Sequence, residues 1–285
     1  MRLALVTYAV LPQLHEDDQL LVAPLARRGV EVVPAVWDDP AVDWARFDAC
    51  VIRSTWDYTF KPAAFNAWTE RVETVTQVWN PPAILRWNGH KGYLRELADR
   101  GAHVVPTAWI ADGEPIGLRA LAETRGWDEV VVKPCVSGGA RDTVRVHARE
   151  GQNAVDALRT IGDRRHAGDF MVQPYEPAVE REGEHSLIFL DGEYSHAIRK
   201  HPQLVPGAHI GGEPLYTPDE DELAAASKIL ALVGARLLYA RVDLVRDQSG
   251  GTMLMELEAL EPRLYFATHP PAAERFADAI ARLPR

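Results

Sequence analysis

The chain has 285 residues, of which 47% are hydrophobic and 25% are charged, and its formal net charge is −10 at pH 7. This composition is typical of a globular protein with two or three core-bearing units. Nucleic-acid backbones bind clustered lysine and arginine, so the acidic balance argues against a nucleic-acid partner. A single nucleotide stays possible, because it needs only a local cationic pocket.

Two cysteines, Cys50 and Cys135, are too few for a disulfide framework and lack metal-ligand spacing. The sequence has no membrane-spanning run, and its apolar start lacks the small-residue cleavage site of a signal peptide. These features predict a cytoplasmic protein with no membrane partner. The oligomeric state stays open, a homo-oligomer included.

The first unit, residues 1–85, has the pattern of a β-α-β fold. Apolar runs at 3–8 and 30–36 flank a segment with helical spacing, which favours a parallel sheet. A further strand at 49–52 ends in a polar stretch, and ligands of open α/β sheets bind at such ends. Arg53 could therefore meet an anionic substrate group, or form a salt bridge with Asp57. The substrate-contact candidates here are Arg53, Ser54 and Thr55.

Two lysines and a glycine-rich turn follow in residues 86–175. Lys91 lies at the predicted start of a helix that ends near Asp99, and Lys133 leaves the apolar strand 129–132. The Ser-Gly-Gly turn comes directly after it, so the ammonium of Lys133 could meet phosphates that the loop amides also contact. The GxxxxGK[ST] order of a Walker motif is absent. The loop candidates are Ser137, Gly138 and Gly139.

Residues 176–285 contain two predicted hairpins. The first leaves its second strand at Arg199 and Lys200, and enters a glycine- and proline-rich loop that carries His209. The second joins strands at 238–246 and 252–260 through a Gln-Ser-Gly-Gly turn. A symmetric turn places Asp247 opposite Thr252, Val245 opposite Leu254, and Asp243 opposite Glu256, with Glu258 on the same face.

Three carboxylates on one face of a hairpin require a cation, because like charges across a ladder repel. Magnesium takes oxygen ligands and shares protein carboxylates with substrate phosphates. The alternative is a solvated face on which Arg241 and Arg246 balance the charge. The candidate metal ligands are Asp243, Glu256 and Glu258.

The order of these features resembles the ATP-grasp superfamily, in particular its glutathione synthetase-like and ribosomal-modification-ligase-like branch. The resemblance covers residues 3–279. It implies an α/β fold with an α+β lid: an N-terminal parallel α/β substrate domain (1–85), a central lid domain (86–175) and a C-terminal metal-binding catalytic domain (176–285). The stretches RSTWDY, GEHS with FLDG, and ELEALEP are similar to the D-cycloserine ligase type.

The resemblance also implies roles for the residues above. Lys91, Lys133 and the glycine loop would contact ATP phosphates, and residues 173–175 would hold adenine, with Glu184 near the ribose. Asp243, Glu256 and Glu258 would bind magnesium, two ions by family precedent, with manganese as an alternative. Glu258 departs from the asparagine frequent in this superfamily. The implied nucleotide contacts are Lys91, Lys133, Ser137, Gly138, Gly139, Gln173, Pro174, Tyr175 and Glu184.

The chemistry implied is ADP-forming ligation of a small carboxylic acid to an amine through an acyl phosphate, within one molecule or between two. In the D-cycloserine type this would be ring closure of O-ureido-D-serine. Arg199 and Lys200 would contact the transferring phosphate, Arg263 and Arg53 would hold the substrate carboxylate, and His209 would lie near the substrate. The alternatives are a ligase acting on a peptide or protein end, a nucleotide-binding regulator on the same scaffold, and a calcium-binding or structural hairpin.

Overall fold

A computed structural model describes residues 1–156, 168–201, 204 and 212–284. Its named strands form three sheets, one parallel and two antiparallel. The predicted α/β class with an α+β lid is confirmed. Within the described part of the chain, every helix is too short or too polar to cross a membrane.

The N-terminal sheet is parallel and has the order β2-β1-β3-β4. Strands β1 and β3 are buried along almost their whole length and have four consecutive apolar residues each, as expected for central parallel strands covered on both faces. The strands of this sheet are β1 (Arg2–Thr7), β2 (Glu31–Val36), β3 (Ala49–Ser54) and β4 (Gln77–Trp79). The helices of this part are α1 (Glu16–Gln19), α2 (Val22–Arg27), α3 (Pro62–Val72), α4 (Pro82–Asn88) and α5 (Tyr93–Asp99), with 3-10 turns at Trp44–Arg46 and Trp56–Phe60.

The second sheet is antiparallel and has the order β5-β8-β6-β7. One face packs against helix α6, and its apolar cluster includes Leu118, Val130 and Val172. The opposite face carries Lys133, because strand side chains alternate between faces. The elements here are β5 (Ala108–Ile110), α6 (Leu118–Arg125), β6 (Glu129–Pro134), β7 (Val144–His147) and β8 (Phe170–Pro174).

The third sheet has the order β11-β10-β9-β12-β13. One face packs on helix α8, and the other packs on helix α9 and strands β1 and β3 of the N-terminal sheet. Helix α8 begins with a capping box between Asp219 and Glu222. The elements here are α7 (Ala178–Glu182), β9 (Glu184–Leu190), β10 (Glu193–Lys200), β11 (Leu215–Tyr216), α8 (Glu220–Val233), β12 (Tyr239–Arg246), β13 (Thr252–Glu258) and α9 (Pro271–Ala281).

The three sheets follow the order of the three predicted domains, whose boundaries remain a prediction. Helix α5 packs against the third sheet, with Leu94 and Leu97 in the same apolar cluster as Leu257. The predicted helix from Lys91 to Asp99 is too long at its start. Lys91 lies in the turn between α4 and α5, where its amide donates to the Cys135 carbonyl at 2.8 Å.

The last hairpin has the predicted pairing of Asp243 with Glu256, but the register nearer the turn is wrong. A bulge between Asp243 and Leu244 moves Leu244 opposite Leu254 and Arg246 opposite Thr252. A bulge adds one residue to one strand and shifts every pair beyond it. The carboxylate pair therefore lies on the unshifted side of the bulge.

Candidate active site

Three carboxylates meet on the face of the third sheet that is turned away from helix α8. Each of Asp243, Glu256 and Glu258 offers an oxygen, and these oxygens lie within 4.8 Å of one another. Asp243 is fully buried, whereas Glu256 and Glu258 are half-buried. We call these three residues the carboxylate cluster. Hard oxygen donors at this spacing fit a magnesium ion.

Two cations pair with Asp243. Arg241 donates from Nε to Oδ1 and from Nη2 to Oδ2, each at 2.9 Å, and Lys200 Nζ lies 2.6 Å from Oδ2. The Ser186 hydroxyl donates to Oδ1 at 2.5 Å. Burial alone would raise the pKa of Asp243, but Arg241 and Lys200 hold the pKa well below its ordinary value. Asp243 is therefore an anion at neutral pH.

The other two carboxylates have different partners. Glu256 forms an ion pair with Lys91, and Glu258 forms one with Arg241. Burial would raise the pKa of Glu256, but Lys91 and Lys133 lower it below the ordinary value. Burial raises the pKa of Glu258, and Arg241 offsets this only in part. Neighbouring cations therefore stabilise the negative charge of Glu258 less well than that of Glu256.

Lys91 and Lys133 both lie near Glu256, and Lys91 also contacts the glycine loop, residues 137–142. Lys91 is buried and its Nζ donates to the Ser137 carbonyl at 3.1 Å. Burial lowers the pKa of Lys133, and the nearby Glu256 carboxylate offsets this only in part. Both lysines therefore lie close enough to Glu256 to act on one anionic ligand.

Lys200 and Arg199 diverge at the end of strand β10. Lys200 bridges Asp243 and Glu184, with Nζ 2.5 Å from Glu184 Oε1. Arg199 pairs with His185, whose imidazole contacts Glu222 of helix α8, so Arg199 lies on the opposite face of the sheet. Of the two predicted phosphate contacts, only Lys200 meets the carboxylate cluster.

The predicted connector, residues 173–175, comprises the last two residues of strand β8 and the residue after it. The Gln173 side chain donates to Thr107 Oγ1 at 3.0 Å, and the Tyr175 amide donates to the Glu129 carbonyl at 2.9 Å. The Arg145 guanidinium lies 3.5 Å from the centroid of the Tyr175 ring. Pro174 closes the strand and pairs with Val130. These contacts fix the connector against the lid sheet.

The predicted substrate residues after strand β3 are mostly held by the protein itself. Arg53 is buried and donates to Asp18 Oδ1 at 2.9 Å and to the Pro262 carbonyl at 2.7 Å. The alternative prediction, a salt bridge between Arg53 and Asp57, is wrong, because the Asp57 carboxylate accepts from Trp37 and Lys61 instead. Helix α1 supplies Asp18, 35 residues earlier in the chain, which no local pattern indicates.

Ser54 and Thr55 differ in how they are bonded. The Ser54 hydroxyl donates to Asp18 Oδ2 at 2.6 Å. Thr55 is fully buried, and its hydroxyl has no hydrogen-bond partner among the described residues. Arg263 is partly exposed; its guanidinium lies 5.1 Å from the Tyr265 ring centroid, and its Nη1 lies 3.9 Å from Glu213 Oε1. His209 lies outside the described residues.

Two side chains at this site were not among the predicted site residues. Arg241, considered only as a charge-balancing partner, links Asp243 to Glu258. The second is Glu261; burial and the neighbouring Glu258 raise its pKa to about 8. The Arg-x-Asp alternation in β12 does place Arg241 and Asp243 on one face. That signal was present in the sequence.

Comparisons with known proteins identify relatives over the whole chain. A family model described as D-cycloserine synthetase DcsG, N-terminal domain, matches residues 3–80. The cycloserine biosynthesis protein DcsG of Streptomyces lavendulae is 36% identical over 298 residues, covering 98% of this chain and 97% of the relative.

Solved structures give the same result. The crystal structure of D-cycloserine synthetase DcsG has a TM-score of 0.89 and 35% identity, and the match covers 99% of each chain. An ATP-grasp protein with a RimK domain from Sphaerobacter thermophilus has a TM-score of 0.75 at 19% identity, covering 99% of this chain and 98% of that one. The second likeness shows the fold alone. The chain belongs to the DcsG family of ATP-grasp ligases, as the resemblance in its sequence predicted.

Proposed function

We propose that this ligase uses ATP to activate the carboxylate of a small amino acid and then forms a C–N bond, releasing ADP and phosphate. The observation that carries the proposal is the convergence of Lys91, Lys133 and Lys200 on the carboxylate cluster. Phosphoryl transfer requires positioning and charge neutralisation more than a protein nucleophile. A site of lysines and magnesium ligands supplies both.

Asp243, Glu256 and Glu258 would hold magnesium, two ions in our proposal, with manganese as a substitute. When bound, the metal would neutralise charge on the ATP phosphates. Lys91 and Lys133 would orient the phosphates under the glycine loop, and Glu184 would contact the ribose. The backbone of residues 173–175 would hold the adenine.

The proposed reaction has two steps, phosphoryl transfer and C–N bond formation. An oxygen of the substrate carboxylate attacks the γ-phosphorus, and the bond from that phosphorus to the bridging oxygen breaks to release ADP. Nitrogen then attacks the acyl carbon, the carbon–oxygen bond to phosphate breaks, and the nitrogen proton leaves with phosphate. Lys200, held by Asp243 and Glu184, is placed to stabilise charge on the transferred group.

The finer proposal is intramolecular: ring closure of O-ureido-D-serine, as the relationship to D-cycloserine synthetase suggests. Arg263 is our candidate for the substrate carboxylate, because its guanidinium is partly exposed and can bond a carboxylate through two N–H groups. Arg53 is a weaker candidate, since Asp18 and Pro262 already occupy its donors.

The test is ADP release across a panel of amino acids that includes O-ureido-D-serine, with hydroxylamine added to trap an acyl phosphate. We expect ADP with one or few acids and a hydroxamate of the same acid. A protein that binds ATP but releases ADP with none of them would be a regulator. Turnover only with peptides would instead favour a peptide-modifying ligase.

A further inference from the structure

Arg141 joins the glycine loop to the 3-10 turn that follows strand β3 of the N-terminal sheet. Arg141 donates from Nη2 to the Thr59 hydroxyl, and its guanidinium carbon lies 3.9 Å from the centroid of the Phe60 ring. Thr59 and Phe60 belong to the 3-10 turn Trp56–Phe60, which follows strand β3. A cation over an aromatic face together with a hydrogen bond makes a directional contact between the loop and the turn.

The same 3-10 turn also contacts the segment after the carboxylate cluster. The Thr59 hydroxyl donates to the Trp56 carbonyl at 3.2 Å, and Trp56 Nε1 donates to the Glu261 carbonyl at 3.2 Å. Tyr58 of the same turn is buried. Its burial raises the pKa of its hydroxyl well above the ordinary value, and the Glu261 carboxylate adds to this shift. The turn therefore contacts both the segment that follows the cluster and the glycine loop.

The loop is tied to the cluster at its other end as well. Lys91 forms an ion pair with Glu256 and donates to the Ser137 carbonyl at the start of the loop. The contacts thus run from the cluster through Lys91 to the loop, through Arg141 to the 3-10 turn, and through Trp56 to Glu261, three residues beyond the end of the strand that carries Glu256 and Glu258.

The backbone around Arg141 adopts a conformation that needs support. Ala140 and Asp142, on either side of it, have φ values of 55° and 54°. Non-glycine residues in the left-handed region are strained, and the surrounding structure must hold them there. The contacts of Arg141 with Thr59 and Phe60 of the 3-10 turn can hold the loop in this conformation. The loop conformation is therefore coupled to the position of the 3-10 turn.

We propose that Arg141 is a positioning residue that holds the glycine loop closed against the substrate-side 3-10 turn while the acyl phosphate exists. This rests on the proposed function. If the loop opens early, water replaces nitrogen as the attacking group: its oxygen bonds to the acyl carbon, phosphate leaves, and the free acid returns. The net result is ATP hydrolysis without ligation.

The experiment measures ADP released per C–N bond formed, with the acid that gives turnover in the wild type. The variants are Arg141→Ala, Arg141→Lys, Phe60→Ala and the double variant, with Arg119→Ala as control. Arg119 is an exposed arginine of the same lid, 3.7 Å from Glu123. Phe60 is 43% exposed, so its truncation leaves the core intact.

We expect a ratio near one in the wild type and in Arg119→Ala, and a several-fold higher ratio in Arg141→Ala and Phe60→Ala. The double variant of Arg141→Ala and Phe60→Ala should have the same ratio as the worse single variant, because both substitutions remove the same contact. Arg141→Lys should fall in between, since it keeps the charge over the ring. Hydroxamate trapping should rise in parallel, because an open loop admits hydroxylamine.

A purely structural role would lower ADP and product together, leaving the ratio at one in Arg141→Ala and Phe60→Ala, and that result would overturn the proposal. Absence of acid-dependent ADP from the wild type would instead refute the proposed function. The two failures are therefore distinguishable in the same assay.

Discussion

At the residue scale, Asp243 organises the charges of the site. It accepts from Arg241, Lys200 and Ser186, and these partners come from strands β12, β10 and β9. A buried carboxylate is stable only when paired in this way. Glu256 has fewer fixed partners than Asp243: it forms an ion pair with Lys91, and its side chain is only half-buried. It is the better position at which to remove a carboxylate without disturbing the sheet.

We predict that Glu256→Gln lowers turnover on the order of 100-fold or more, because the variant loses a charged contact to the metal and phosphates. The fold should persist, as measured by circular dichroism and the unfolding midpoint. Glu193→Gln, an exposed position at the start of strand β10, is the control and should keep full activity. Normal turnover in Glu256→Gln would contradict the metal assignment.

The sequence was sufficient to predict which charged residue types meet, and insufficient to predict their partners. Asp243, Glu256 and Glu258 could be placed on one face from strand periodicity alone. The partners of Arg53 could not, because they depend on which distant element packs alongside. Asp18, for example, reaches Arg53 only because helix α1 lies beside strand β3.

At the element scale, the entry into strand β9 is fixed by Gly183. Its φ is +81°, and an added Cβ would lie 2.6 Å from the Lys200 carbonyl oxygen and 2.8 Å from Arg199 Cγ. Only glycine allows strands β9 and β10 to approach this closely while bringing Glu184 and Lys200 together. The glycine therefore positions both side chains of that ion pair.

We predict that Gly183→Ala destabilises the protein by roughly 3 kcal/mol, since backbone strain and a backbone clash combine. Gly234→Ala is the matched comparison: Gly234 has φ +70° but open space around it, so strain alone should cost about 1–2 kcal/mol. Urea unfolding measures both values. Equal losses in the two variants would show that the contact with Lys200 has no energetic effect.

Elements were predictable where periodicity is strong, and less so where tertiary packing sets an end. Both C-terminal hairpins and helix α8 follow from alternation, turn residues and an acidic first turn. The bulge after Asp243 does not, because strand pairing tolerates one extra residue without any local signature. Lys91 lies in a turn because Pro82 starts a separate helix before it.

At the scale of the whole molecule, Asn80 joins the N-terminal sheet to the third sheet. Its amide nitrogen donates to the Tyr239 and Ala259 carbonyls at 2.8 Å each, and its oxygen accepts from the Leu238 amide at 2.6 Å. The side chain is fully buried. The strands that carry the carboxylate cluster are thus anchored directly to the segment that follows strand β4 of the N-terminal sheet.

We predict that Asn80→Ala lowers the free energy of unfolding by about 3 kcal/mol or more, because three buried backbone groups lose their partner. Denaturant unfolding followed by tryptophan fluorescence would measure the loss. Asn66→Ala, in helix α3, serves as the comparison and should change stability little. If the Asn80 variant were equally stable, the two sheets would not depend on this bridge.

In the reaction that we propose, a carboxylate oxygen of the substrate is transferred to the γ-phosphoryl group of ATP. Synthesis of O-ureido-D-serine with ¹⁸O in its carboxylate allows a direct measurement by mass spectrometry of the released inorganic phosphate. An acyl phosphate that is attacked by nitrogen predicts one ¹⁸O atom per phosphate, in step with ADP and ring formation. Turnover of this acid with unlabelled phosphate would contradict the claim.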